Sequence, residues 1–386
     1  MIKRILISVI ILMNLCFVTF APDAEAEGKP NISADAAILM DLKTGQVLYA
    51  KNPFKSRPPA STTKVLTALI AIEGGKLNQK VKVSRKAAYT EGSSMYLKVG
   101  ETMSLSDLIY GALMHSGNDA CEAIAEHVAG SSEQFALLMN VKALSLGAVN
   151  SHFVNPHGLP DDNHYTCAYD LGLIARHALN NPVFSNIVST RNKILADTEG
   201  EDERRLSNTN KLLWKYLWAD GVKTGTTSKA GQCLISSATK GNRQLVAVVL
   251  HSGNRWQDSI DLFEYGFNRF EYSQVAVAGA EFGKFQVQNG EQKEVSAAYG
   301  SDLGLLIPME KPDAVEKRVV YDSYPAAPLR KGQVIGSVSY IVNNCFAGRV
   351  NLVAAEDVCE KGFWTRFREW FGLRVKNFWG MFLYKL

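Results

Sequence analysis

Pro58-Pro59-Ala60-Ser61-Thr62-Thr63-Lys64-Val65-Leu66-Thr67-Ala68-Leu69-Ile70-Ala71-Ile72-Glu73 is the stretch on which the reading of this chain turns. The prolines stop whatever precedes them, and the apolar spacing after Lys64 predicts a helix from near Ser61 to about Gly74. Leu66, Leu69 and Ile70 are its expected buried side, which would fix the geometry of the residues at its start. On that helix Ser61 and Lys64 share one face about a turn apart. A serine hydroxyl is a poor nucleophile until a neighbouring base takes its proton, and a desolvated lysine close to other cations can be that base. Taken alone the spacing is common, and Ser61 reads equally well as a helix cap.

Working outward, residues 36–40 and 46–49 are strand candidates joined by Asp41-Leu42-Lys43-Thr44-Gly45, which has hairpin-turn composition. Residues 104–114 read as a helix with Ser104 as N-cap and Leu105, Leu108, Ile109 and Ala112 on one side. His115-Ser116-Gly117-Asn118 interrupts that helix and residues 120–128 resume it, with further helices at 132–146 and 169–179. After Lys223-Thr224-Gly225 the period changes. Residues 233–239 and 244–250 are strands joined by Lys240-Gly241-Asn242-Arg243, and residues 259–267 form a closing helix. The expected α/β unit, residues 30–270, has a mixed sheet with edges drawn from opposite ends of the sequence and packed against helices. Past Tyr272 alternation at 275–277, 285–287, 317–321 and 334–341 predicts a small all-β domain of about 85 residues, 272–357.

The ends carry their own signals. Lys3 and Arg4 precede an uncharged run over 5–21, and Ala24-Glu25-Ala26 offers small residues for cleavage, so residues 1–26 read as an export signal. Seventeen uncharged residues holding Asn14, with Pro22 behind them, suit a retained spanning helix poorly. Cys16 follows Asn14 and Leu15 and does not resemble a lipid-attachment site. Cleavage leaves roughly 360 residues, enough for a large core and a smaller second unit. The remaining Cys121, Cys167, Cys233, Cys345 and Cys359 are odd in number and widely spaced, which is neither a disulfide framework nor a zinc cage. One bridge or buried free thiols would both fit. The histidines show no metal-ligand spacing, so no metal or cofactor is expected.

Net charge is +4, and from Lys361 onward six Lys or Arg residues face only Glu369, so the body is close to neutral and gives no reason to expect nucleic acid. Residues 363–386 hold three tryptophans and five phenylalanines. Phe367, Trp370, Phe371, Val375, Phe378 and Phe382 cluster on one helical side, with Arg366, Arg368, Glu369 and Lys376 largely off it and Arg374 left to snorkel. A helix over 361–386 with this character is expected to lie on an anionic membrane surface, docking on protein being the alternative.

Three separated elements can form one cleft. Ser61 and Lys64 supply nucleophile and base. Ser116 and Asn118, at a break between helices, can relay a proton and hold the lysine or a substrate amide. Lys223, Thr224, Gly225 and Thr226, on an edge strand, offer charge and hydroxyls for a substrate carboxylate, with Gly225 allowing close backbone approach. The amides of Ser61 and Thr226 are the natural oxyanion pair. Arg255 could supplement Lys223. Each motif alone reads as a cap, a turn or a surface loop, but their joint occurrence favours chemistry.

Pro59-Ala60-Ser61-Thr62-Thr63-Lys64, Ser116-Gly117-Asn118 and Asp220-Gly221-Val222-Lys223-Thr224-Gly225-Thr226 together resemble the low-molecular-mass penicillin-binding proteins that are serine-type D-alanyl-D-alanine carboxypeptidases. Phe153-Val154-Asn155-Pro156-His157-Gly158-Leu159 followed by His164-Tyr165-Thr166 is similar to a further stretch of that family. The likeness is strong over 32–270, and the β domain and amphipathic tail match the family layout less specifically. It implies an antiparallel sheet with helices in the transpeptidase domain shared with β-lactamases. It also implies removal of terminal D-alanine from peptidoglycan stem peptides, with β-lactams as covalent inhibitors, at the outer face of the cytoplasmic membrane. By the same likeness Ser61 is acylated, Lys64 is the base, Ser116 and Asn118 complete the proton network, and Lys223 meets the substrate carboxylate. Thr226 stands where some members carry histidine, and Gly117 takes the place of aspartate in others.

Three readings compete with this one. A β-lactamase would need a water-activating carboxylate, for which Glu199, Glu201 and Glu203 are weak candidates. A DD-endopeptidase or transpeptidase would use the same acyl-enzyme. A wall-binding scaffold would not need Ser61, Lys64, Ser116, Asn118 and Lys223 together.

Overall fold

Strand β1 (Ala36–Asp41) is buried at every position because it is paired on both edges and covered on both faces. Its neighbours are β2 (Val47–Lys51) and, from the far end of the unit, β9 (Arg243–Ser252). Two smaller antiparallel pairs, β3 (Lys80–Lys82) with β4 (Thr102–Ser104) and β5 (Asn192–Ala196) with β6 (Glu203–Ser207), lie between them in sequence. β7 (Ala219–Thr227) and β8 (Gly231–Lys240) complete a five-stranded sheet of order β2-β1-β9-β8-β7. The computed structural model describes residues 28–196, 203–311, 315–321, 325–342, 345–363 and 367. The sheet edges do come from opposite ends of the sequence. The pairing is antiparallel throughout, however, and not mixed. Tight hairpins join β1 to β2, β7 to β8 and β8 to β9, and a hairpin can only make antiparallel neighbours.

The stretch that opened the reading forms a 3₁₀ turn, Ala60–Thr63, followed by the α-helix Lys64–Glu73. Val65, Leu66, Ala68 and Leu69 are buried and Ile70 only partly so. This helix packs against the helices Asn118–Ala129, Ser132–Ser145 and Ala168–Leu179, so nearly its whole circumference is interior. Burying Leu66 and Leu69 contributes roughly 1.5–3 kcal/mol each. The helix expected over 104–114 is the α-helix Leu105–Tyr110, capped by Ser104 Oγ accepting from Asp107 N at 3.0 Å, and it widens into a π turn, Gly111–His115. Ser116 ends it in the left-handed conformation (φ +66°), which is the break expected there.

The helix Pro182–Ser189 escaped the reading, although Asn181 caps it and Pro182 opens it. So did β5, β6 and the short helix Leu212–Lys215.

The chain divides into two units by internal contacts, one over Asp23–Phe270 and another from Glu271 onward. The latter is β-rich, with β10 (Phe270–Ala276), β11 (Glu281–Gln286), β12 (Glu294–Tyr299), β13 (Leu303–Pro308), β14 (Val315–Val320), β15 (Val334–Val342) and β16 (Cys345–Ala354). Its main sheet has the order β11-β12-β16-β15-β14, and β10 pairs with β13. Val338, Tyr340, Val350 and Leu352 centre its core, where Tyr340 Oη reaches Tyr299 Oη at 3.1 Å. All five cysteines of the expected mature chain are free thiols. The export signal over 1–26, and the tail helix over 361–386 apart from 361–363 and 367, lie outside the described residues.

Candidate active site

Lys64 has no accessible surface, and its ammonium nitrogen has three neighbours. Nζ lies 2.8 Å from Ser61 Oγ, 2.7 Å from Asn118 Oδ1 and 2.8 Å from the carbonyl oxygen of His157. Two of these can only accept a hydrogen bond, whereas the serine hydroxyl can also donate. A neutral amine in this cage spends both N–H groups on Asn118 and His157 and turns its lone pair toward Ser61. Burial makes that neutral form accessible, since desolvation pulls the lysine down to about 8 while Cys121 and Asp119 push the other way.

The cage is held from several sides. Asn118 opens the Asn118–Ala129 helix, and its amide is oriented by donating to Glu91 O at 2.6 Å, while its backbone N–H bonds Ser93 O at 2.7 Å. The next residue, Asp119, receives Ser94 Oγ at 2.6 Å, Met95 N at 3.0 Å and Leu97 N at 3.1 Å, so loop 91–97 is clamped to the same helix start. Ser116 sits in the left-handed joint just before, 7% exposed, its backbone N–H bonded to Gly111 O. Sequence reading placed Ser116 and Asn118 at a helix break, and both are there.

His157 belongs to the quoted Phe153–Leu159 motif, but no role for its carbonyl was legible. Gly158 carries the signal that could have found it. At φ +87°, a Cβ there would come within 1.9 Å of Ala60 O, so only glycine lets this turn lie against the start of the Ala60–Thr63 turn. His164 pins the same turn region. Its Nε2 lies 2.9 Å from Thr63 Oγ1, which itself donates to Ala60 O, and its Nδ1 accepts from Val154 N at 3.2 Å. Those partners define an Nε2–H tautomer. Burial pushes His157 down to about 3 and His164 down to about 4, so both stay neutral.

Edge strand β7 brings the third element. A Cβ on Gly225 would lie 3.0 Å from Pro59 O and 3.1 Å from Ser61 N, which makes the close backbone approach a fact of the geometry. Lys223 is fully buried, with Nζ donating to Thr224 O at 3.0 Å. Burial first, then the charges of Lys64 and Arg255, hold it well below the usual lysine range. Thr224 is nearly buried, its Oγ1 3.0 Å from Thr209 Oγ1, whereas Thr226 is exposed. Arg255 lies closer to this strand than the sequence could place it, with Nη1 donating to Gly225 O at 3.0 Å and Thr226 Oγ1 at 2.8 Å. Its guanidinium also covers the Trp256 ring at 4.7 Å. Of the carboxylates weighed for water activation, Glu199 and Glu201 lie outside the described residues. Glu203 is exposed at the start of β6, 3.4 Å from Arg205. The arrangement suits acyl transfer: a hydroxyl beside a neutral-capable amine, with strand β7 and the Arg255 guanidinium alongside.

Residues 23–254 match the D-alanyl-D-alanine carboxypeptidase family, and residues 270–360 match the C-terminal domain of penicillin-binding protein 5. The chain is 33% identical over 392 residues to the D-alanyl-D-alanine carboxypeptidase DacF of Bacillus subtilis, covering 95% of this chain and 100% of that protein. It is 34% identical over 368 residues to DacA of Haemophilus influenzae, covering 90% and 91%. The solved structure of penicillin-binding protein 5 from Haemophilus influenzae is similar at a TM-score of 0.72 and 33% identity, over 87% of this chain and 100% of that one. The chain belongs to the D-alanyl-D-alanine carboxypeptidase family of penicillin-binding proteins, and it is a serine-type DD-carboxypeptidase acting on peptidoglycan stem peptides.

Proposed function

We propose that Ser61 is the acylated serine and Lys64 its general base. The observation that carries this is the three-way cage around Lys64 Nζ, in which Ser61 is the only partner able to give up a proton. Ser61 Oγ–H transfers its proton to Lys64 as Oγ attacks the carbonyl carbon of the penultimate D-alanine. The amides of Ser61 and Thr226 receive the oxyanion. The C–N bond then breaks, and the proton passes from Lys64, with Ser116 as relay, to the amine of the departing D-alanine. Water deacylates the ester with Lys64 again accepting a proton. Thr224, Thr226 and Arg255 meet the terminal carboxylate, with Lys223 buried in the same strand and bonded to Thr224 O. β-lactams acylate the same serine.

Product analysis with a pentapeptide and a cross-linked muropeptide side by side tests the activity. Release of free D-alanine from the pentapeptide supports the carboxypeptidase reading. Preferential cleavage of the cross-link favours the endopeptidase, and rapid repeated penicillin hydrolysis favours a β-lactamase.

The enzyme works outside the cytoplasm, exported by residues 1–26 and held on anionic lipid by the aromatic and basic faces of residues 361–386. Truncation before Lys361 is expected to leave a soluble, active enzyme. Undiminished binding of the truncated chain to vesicles containing phosphatidylglycerol contradicts the anchor.

A further inference from the structure

Thr209 is an exposed residue between two buried ones. It lies between β6 and the short helix Leu212–Lys215, with Asn208 almost buried before it and Asn210 fully buried after it. Both amides are spent on backbone. Asn208 Nδ2 donates to Val188 O at 3.2 Å and Thr190 O at 3.0 Å, and its Oδ1 accepts from Asn210 N at 2.9 Å. Asn210 Oδ1 accepts in turn from Leu212 N at 3.1 Å. Two successive Asx turns therefore fix the chain on either side of Thr209, while its own side chain stays outside the packing.

Held in this way, Thr209 reaches two elements of the site. Its backbone N–H donates to Met114 O at 2.9 Å, in the π turn that ends at Ser116. Its Oγ1 lies 3.0 Å from Thr224 Oγ1 on β7. Neither hydroxyl has another hydrogen bond among the described residues. Each has a single proton to give. Once Thr224 gives its proton to a carboxylate, the 3.0 Å contact remains a hydrogen bond only with Thr209 as donor. The Thr209 proton has no competing acceptor there, so the two hydroxyls and the carboxylate form a chain in which each bond polarises the next.

We infer that Thr209 is a positioning residue for recognition of a free terminal carboxylate, acting through the hydroxyl of Thr224. The inference rests on the reading of Thr224 as a contact of that carboxylate. Without the Thr209 hydroxyl, Thr224 keeps its place on the strand, but nothing turns its O–H toward the substrate. The hydrogen bonds of Lys64 with Ser61, Asn118 and His157 do not involve Thr209. The loss therefore falls on binding of acyl donors that end in a carboxylate, and a donor whose leaving group lacks one does not use the chain.

The test compares Thr209→Val, which removes the hydroxyl at nearly the same size, with Thr209→Ser, which keeps it. Two acyl donors are given to the full-length enzyme: an N-acylated tripeptide ending in D-alanyl-D-alanine, and an N-acyl-D-alanine phenyl ester, whose leaving group has no carboxylate. In Thr209→Val the ratio of kcat/KM for the tripeptide to that for the ester is expected to fall about fivefold, with the loss in KM. Thr209→Ser should keep the ratio within about twofold of the wild type. A parallel fall on both donors, an unaltered ratio in Thr209→Val, or an equal loss in Thr209→Ser overturns the inference. Should Thr209→Val fail to fold, Thr209→Ala carries the same comparison. Thr224→Val separates the two levels. A wild-type ratio in Thr224→Val defeats the reading of Thr224 as a carboxylate contact, whereas a lowered ratio there with a wild-type ratio in Thr209→Val defeats only the positioning role.

Discussion

Lys64 Nζ lies 2.8 Å from Ser61 Oγ with no accessible surface of its own. That pairing ties the proposed nucleophile to a lysine whose burial brings the neutral form within reach of ordinary pH. Lys223, although equally buried, bonds its own strand through Thr224 O and has no such hydroxyl partner among its described hydrogen bonds.

The base therefore sets a pH dependence. Below its pKa of about 8 Lys64 is protonated and cannot accept from Ser61, so acylation rises with pH through that value and levels above it. A stopped-flow profile of penicillin acylation is expected to show this acid limb. Lys64→Arg, charged at every accessible pH, should abolish the limb and lower the rate by about a hundredfold or more. A flat wild-type profile from pH 6 to 9 would remove Lys64 from the role.

Gly158→Ala tests the contact against the Ala60–Thr63 turn. The added Cβ would meet Ala60 O at 1.9 Å in a backbone conformation that L side chains rarely adopt, and both atoms belong to constrained segments. Loss of about 3 kcal/mol or more is expected, together with impaired acylation, by denaturant unfolding and penicillin binding. Wild-type stability in this variant would mean that the turn moves freely against Ala60.

The buried histidines give stability its own pH dependence. His164, pushed down to about 4 from 6.5, stays neutral in the fold while the unfolded chain takes up a proton as pH falls below 6.5. Proton uptake by the unfolded state means that stability is complete above 6.5 and declines as pH falls toward 4. Between pH 6.5 and 5 this residue accounts for a loss of about 2 kcal/mol, and His157 contributes in the same direction. His164→Gln, which can still donate to Thr63, should flatten the decline seen in urea unfolding over that window. An unchanged slope in the variant contradicts the account.

Much of this was legible because the decisive residues sit where local rules speak. Ser104 as a cap, the break at Ser116, the hairpin around Gly241 and the apolar run of β1 all follow from backbone and packing preferences within a few residues. The contacts that complete the site are long-range and often made by backbone. The carbonyl of His157 meets Lys64 across 93 positions, and a carbonyl has no residue type to read. Arg255 was visible as a cation, but only the close packing of its helix on β8 and β9 puts it on Gly225 O and Thr226 Oγ1. The mixed sheet was a wrong inference from element order, since antiparallel pairing of β1 with β9 depends on how the helical middle returns the chain. Strand β16 went unread because Gly348 interrupts its alternation.

The most direct test of the central claim is peptide mapping after exposure of the enzyme to benzylpenicillin. The account predicts one penicilloyl group, on the peptide containing Ser61, and none when Ser61 is replaced by alanine. An adduct mapped to Ser116 or any other residue, or one that persists in Ser61→Ala, would contradict it.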